Sequence, residues 1–136
     1  MKKIILKIIA MAMIGSMVVI PVSAQSSEIM PLWDNVSTVD VDMTFSANSG
    51  NVSGCVTRQS GVVRMEGTIT LYEYVGNQWV YVNEWYKSTT RMALTISGDF
   101  IAVSGRQYQA VMTVTAYRND GTLEETVTDE IIRTCP

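Results

Sequence analysis

The chain contains no histidine, only two cysteines, three prolines and two phenylalanines. Without histidine the usual general base, the Ser/His/Asp and Cys/His arrangements and the commonest metal ligand are all excluded. No glycine-rich loop leads into a helix to cradle a phosphate. Beyond the first residues no stretch repeats its apolar positions at i, i+3, i+4 and i+7, and there is no internal repeat or low-complexity block. Basic residues are scarce, at 10 Lys and Arg against 13 Asp and Glu, and Lys2, Lys3 and Lys7 take three of the ten.

Those lysines open an address. A positive start, an apolar run from Ile8 to Ile20 and the small-residue ending Pro21-Val22-Ser23-Ala24 predict an export signal at residues 1–24, cleaved after Ala24. The alternative, an uncleaved anchor, needs roughly 20 uninterrupted apolar residues, and this run is shorter. The 112 residues that follow carry 13 acidic and 7 basic side chains, a formal charge of −6 in place of −3. Nucleic acid and anionic membrane surfaces demand a basic footprint, so neither is expected as a partner. The expected location is outside the cell, with no membrane association once the signal is removed.

What remains reads as strands. Residues 25–32 form a polar, proline-ended leader and a single domain is expected over 33–136. Val39, Val41, Met43 and Phe45 alternate with Asp40, Asp42, Thr44 and Ser46, and a second strand runs from Val52 to Arg58. Met65, Ile69 and Leu71 share a face with Gly67 between them, which signals a bulge or a close backbone approach. After a turn at Val75 to Gln78 comes Trp79 to Lys87. Met92, Leu94 and Ile96 alternate next, ended by Gly98-Asp99, and Phe100 to Val103 link to the last hairpin. There Tyr108, Ala110, Met112, Val114 and Ala116 form one apolar row. A two-residue loop at Asp120-Gly121 sets Val114 opposite Val127 and Ala110 opposite Ile131, with Thr113 and Thr115 facing Thr128 and Thr126. Seven or eight strands at this spacing predict an all-β, two-sheet antiparallel sandwich.

The run Gly105-Arg106-Gln107-Tyr108 with the alternating residues after it resembles the late hairpin of immunoglobulin and fibronectin type III sandwiches, with Tyr108 in the place of their tyrosine corner. Ala110 stands where an immunoglobulin domain has its second cysteine. From Trp33 through Gly-Asn-Gln-Trp to the Asp-Gly hairpin the layout is also similar to small secreted β-sandwich proteins of clostridial-type Gram-positive bacteria. That likeness implies a secreted bacterial sandwich and supplies no activity.

Cys55 and Cys135, with 79 residues between them, read as a disulfide in an exported chain and as two thiols otherwise. Such a bridge would stabilise the fold by roughly 4 kcal/mol in the chain-entropy account.

Candidate sites are few. Glu66, Glu73, Glu84, Asp99 and Glu125 supply carboxylates for a glycosidase-type pair, and Asp40 and Asp42, with Asn35 or Asn48, for calcium. Both patterns occur on any solvated strand surface. Glu124, Glu125, Asp129 and Glu130 on the last strand read as edge charges that discourage pairing with another chain. The more specific signal is aromatic. With Gly76-Asn77 as a hairpin loop, Tyr74 faces Trp79, Tyr72 faces Tyr81, Thr70 faces Asn83 and Thr68 faces Trp85, while Leu71 meets Val82 and Ile69 lies beside Glu84. Tyr72, Tyr74, Trp79, Tyr81 and Trp85 then share an outer platform on which a sugar or a protein hot spot stacks. In the alternative, Trp85 is the buried tryptophan of this architecture and a bulge turns part of the row inward.

The expected function is therefore a secreted, non-catalytic binding module for carbohydrate or protein, with no cofactor and no metal. A small carboxylate-dependent hydrolase and a secreted effector or inhibitor are the alternatives.

Overall fold

The computed structural model describes residues 35–119 and 123–136. They form seven strands: β1 (Val36–Ser46), β2 (Ser49–Arg58), β3 (Val62–Val75), β4 (Gln78–Thr89), β5 (Ala93–Ile101), β6 (Gln107–Arg118) and β7 (Leu123–Thr134). One sheet has the order β1-β2-β5 and the other β4-β3-β6-β7, with every neighbouring pair antiparallel. This is the expected two-sheet sandwich. The expected export signal, the leader and Trp33 lie outside the described residues, as does the Asp120-Gly121 turn.

Alternation in sequence becomes alternation in burial. Tyr108, Ala110, Met112, Val114 and Ala116 of β6 are all buried against Val41 and Met43 of β1, Val52 and Val56 of β2, and Leu94 and Ile96 of β5. From Gln107 to Ala116 the β6–β7 register is the expected one, with Val114 opposite Val127, Ala110 opposite Ile131 and Thr113 opposite Thr128, and it shifts by one between Ala116 and Tyr117. Glycines on the inner faces make room for large side chains from the facing sheet. A Cβ on Gly67 would come within 2.7 Å of Leu94 Cδ2, so the close approach expected there is the packing of β5 onto β3.

Two expectations near β5 need correction. The strand does not end at Gly98-Asp99 but runs on to Ile101. Gly98 is not a turn: a Cβ there would run into the Trp85 indole, so its missing side chain is a seat for that ring. Met92 lies just before the strand and is 68% exposed rather than aligned with the buried Leu94 and Ile96.

One end of the core is closed by aromatic rings. Tyr108 lies 5.1 Å from Phe100 and 5.8 Å from Phe45, centroid to centroid, joining both sheets. Its hydroxyl accepts a bond from Val103 N at 2.8 Å and donates to Glu73 Oε1 at 2.9 Å. The same carboxylate oxygen accepts from Arg106 Nη1 at 2.9 Å. The bond back to the backbone five residues upstream is the tyrosine corner that the sequence predicts. At the other end the buried Asn35 donates its N–H to Glu125 Oε2 and accepts from Arg118 Nη2, both at 2.8 Å.

The expected disulfide is absent: Cys55 and Cys135 are free thiols. On β2, Gly54 and Val56 face the core, so Cys55 between them points to solvent, where its sulfur takes a weak bond from Thr95 Oγ1 at 3.8 Å. Cys135 is buried beyond the end of β7 in the other sheet, held by backbone bonds to Gly105 and Arg106. The strand's two-residue period turns the two sulfurs away from each other. A thiol reagent should modify Cys55 in the native protein and Cys135 only on unfolding, as read by mass spectrometry. Protection of both until a reductant is added would show a bridge instead.

Burial raises the Tyr108 hydroxyl pKa, the Val103 N–H bond opposes this, and Glu73 adds to the rise. The folded protein thus keeps a proton that the unfolded chain releases near pH 10. Its contribution to stability is complete below about pH 10 and is lost as the pH climbs from there through the folded value. Urea unfolding followed from neutral to alkaline pH should show a steeper alkaline fall in the wild type than in Tyr108→Phe. At neutral pH the variant should be about 1–2 kcal/mol less stable, from the lost corner bond.

Candidate functional site

The β3–β4 hairpin turns at Gly76 and Asn77, whose φ values of 59° and 62° are both left-handed. That is the requirement of a two-residue turn matched to strand twist, and glycine and asparagine meet it at little cost. From this turn Tyr74 pairs with Trp79 and Tyr72 with Tyr81, as the sequence implies. The register then shifts between Leu71 and Tyr72: Leu71 lies opposite Asn83, Thr70 opposite Glu84, Ile69 opposite Trp85 and Thr68 opposite Tyr86. Val82 is the extra residue of a bulge.

This one residue reverses the facing of the rest of β4. Trp85 does not join the outer platform; it turns inward, packs against the core and rests over Gly98. Tyr86 takes the outer position and is 63% exposed. The bulge also resolves a conflict visible in the unbulged register, which set Glu84 beside Ile69 on the core face. That misplaced charge was the signal from which Tyr86 was recoverable as a surface residue.

The site is therefore built from Tyr72, Tyr74, Trp79 and Tyr81 at the hairpin tip, with Tyr86 further along β4. Tyr72 and Tyr81 meet edge to face, with centroids 6.5 Å apart and planes at 81°, and Tyr74 and Trp79 are 5.0 Å apart at 58°. The rings cover one another in pairs and do not lie in a common plane. Val75, Val80 and Val82 are also exposed, and with Tyr74, Tyr81 and Tyr86 they make up most of the exposed large hydrophobic residues among those described. Further down the same outer face Arg64 sits 4.1 Å over the Tyr117 ring, whose hydroxyl donates to Glu66 Oε2 at 3.0 Å. Arg64 also pairs with Glu66. The bond to Glu66 raises the Tyr117 pKa, helped by burial.

The other candidates are dispersed. Glu73 is committed to Tyr108 and Arg106, Glu66 to Tyr117 and Arg64, Glu125 to the Asn35 N–H, and Asp99 to Asn51 Nδ2 at 2.7 Å. An open cavity of about 540 Å³ between β4 and β5 has Glu84 as its one carboxylate. A second, of about 320 Å³, has none. Asp42 pairs with Arg133 at 3.0 Å, and the Asn35 side-chain oxygen is taken by Arg118. Among the described residues no three His, Cys, Asp or Glu side chains gather where they would hold a metal ion.

No family model matches the chain. No curated protein matches it either. Among solved structures it is similar to a β-glucuronidase of Parabacteroides merdae, at 13% identity and a TM-score of 0.45, over 76% of this chain and 14% of that one. It is also similar to a protein from Archaeoglobus fulgidus, at 10% identity and a TM-score of 0.35, over 74% of this chain and 98% of that one. The chain thus spans about 14% of the glucuronidase's length. At these scores neither likeness bears on activity or ligand.

The two tryptophans of β4 should differ in what their truncation costs the fold. Replacing Trp79 and Tyr81 together with Ala should cost about 1–2 kcal/mol, through the lost cross-strand pairs with Tyr74 and Tyr72. Trp85→Ala should cost about 2–4 kcal/mol by emptying its seat over Gly98. Chemical denaturation of the two variants beside the wild type measures both.

Proposed function

We propose that the chain is a non-catalytic binding module working outside the cell, with the aromatic tip of the β3–β4 hairpin as its ligand surface. The observation that carries this reading is the row of exposed Tyr74, Tyr81 and Tyr86 with half-buried Tyr72 and Trp79 on the outer face of one hairpin. Solvated apolar surface gathered in one place costs solubility unless something covers it in use. Export, expected from the lysine-led apolar start, places that surface where envelope, host or competitor molecules are met.

A protein partner fits the ring geometry best. Planes at 58° and 81° to one another offer no flat platform for a polysaccharide ribbon, but they suit an irregular hot spot of tyrosine and tryptophan. Carbohydrate is the second reading, favoured by one arrangement: Tyr81 and Tyr86 are the more open rings, and Glu84 lies on the same outer face to accept hydroxyl bonds. A single sugar ring, rather than a chain, is what such a place would take.

The test is a binding screen of the folded protein against arrays of glycans and of envelope and host proteins. Binding to a protein, weakened about thirtyfold or more in the Trp79→Ala and Tyr81→Ala double variant, is the expected result. A folded wild type that retains nothing from either array, or a double variant that binds as well as the wild type, would sink the proposal.

A further inference from the structure

The two sheets end in four edge strands, β1 and β5 in one and β4 and β7 in the other. Three of them are guarded against pairing with another chain. β1 has a register shift between Val36 and Thr38 and carries Asp40 and Asp42. β4 has the Val82 bulge with Glu84 and Lys87, and β7 carries Asp129, Glu130 and Arg133. Bulges and edge charges of this kind are the usual protection. β5 pairs with β2 without a shift, contains no proline and has Asp99 as its single charge.

Its backbone is open as well. Met92 O accepts from Arg58 N, and Ala102 N donates to Asn48 O, so the even-numbered positions turn toward β2. By the alternation of an antiparallel ladder, the N–H and C=O groups of Ala93, Thr95, Ser97, Asp99 and Ile101 point away from the sheet. β5 ends its sheet, with no hydrogen-bonded strand on that side among the described residues.

We propose that β5 is the interface of a two-fold dimer, pairing antiparallel with β5 of a second copy about Ser97. The strand is self-complementary in that register, the one that uses all nine of its residues. On the outer face Ala93 meets Ile101, Thr95 meets Asp99 and Ser97 meets Ser97, apolar with apolar and polar with polar. Asp99 is kept away from its own symmetry mate, so no like charges oppose each other. On the inner face Leu94 meets Phe100 and Ile96 meets Gly98. Roughly ten backbone hydrogen bonds form across the junction. The ends agree too. Ile101, 84% exposed, and Met92, 68% exposed, are the most exposed large hydrophobic residues among those described, and they flank β5 at opposite ends. A two-fold axis brings Ile101 of each copy beside Ala93 and Met92 of the other. This is the isologous contact that closes a dimer and leaves no free β5 edge.

Sedimentation equilibrium of the full chain should show a concentration-dependent dimer. Ser97→Pro removes an N–H that makes no bond within its own sheet, so its circular dichroism should match the wild type while dimerisation weakens about tenfold or more. Thr95→Asp sets a like charge against Asp99 of the second copy and should weaken the dimer about tenfold, whereas Thr95→Lys should keep it or tighten it. If Ser97→Pro does not fold, the contrast between the two Thr95 variants decides the matter. A chain that stays monomeric up to roughly millimolar concentration overturns the proposal, as do Thr95 variants that dimerise alike. A dimer lost in the Trp79→Ala and Tyr81→Ala variant but kept in Ser97→Pro would place the contact on the hairpin and overturn it as well.

Discussion

A phenol buried among apolar side chains has to find partners for its hydroxyl, and the way Tyr108 does so organises one whole end of this molecule. Its oxygen accepts a hydrogen bond from the Val103 N–H and its hydroxyl donates one to Glu73, which also accepts from Arg106. Those bonds fasten the link between β5 and β6 to the end of β3, so the chain's crossing from one sheet to the other is fixed by a side chain rather than by the loop itself. The ring then meets Phe45 from β1 and Phe100 from β5. A buried polar group left unmatched costs more than a bond gains, so this end tolerates one arrangement.

From that end the sheets pack by interdigitation. Gly67 admits Leu94 and Ile96, and Gly98 admits Trp85. Each is a place where one sheet lacks a side chain because the other supplies one. The pairing of Gly98 with Trp85 also explains why the Val82 bulge is kept: it turns the indole inward and carries Glu84 out of the core in the same step. The composition of the outer surface is thus a by-product of core packing. Tyr86 is on the surface because Trp85 is not.

The hairpin tip and the β5 edge differ in kind. The hairpin tip offers side chains, with inclined aromatic pairs and bare valines, whereas β5 offers backbone, with a regular row of outward amide groups and little charge. Side-chain surfaces select by shape and chemistry, while a backbone edge selects by register. A partner on the hairpin tip and a second copy on β5 would use different residues, while Glu84 and Tyr86 border the gap beside Thr95 and Ser97 of β5.

Much of the fold was legible in the residues because a strand with one buried face writes its period into the chain. The row from Tyr108 to Ala116, the pairing of Val114 with Val127, the corner at Tyr108 and the left-handed turn at Gly76-Asn77 all follow from local rules acting on neighbouring residues. Four of the five aromatic positions were legible for the same reason, since they lie between the turn and the bulge. What the tertiary structure alone decided depends on contacts between strands far apart in sequence. The bulge that moved Trp85 inside needed Gly98 beneath it, and the continuation of β5 to Ile101 needed β2 alongside. The separation of Cys55 from Cys135 followed from which face of β2 met the core. Period and turn chemistry are local properties of a chain, whereas the side on which a bulged strand finally rests is settled by the sheet it packs against.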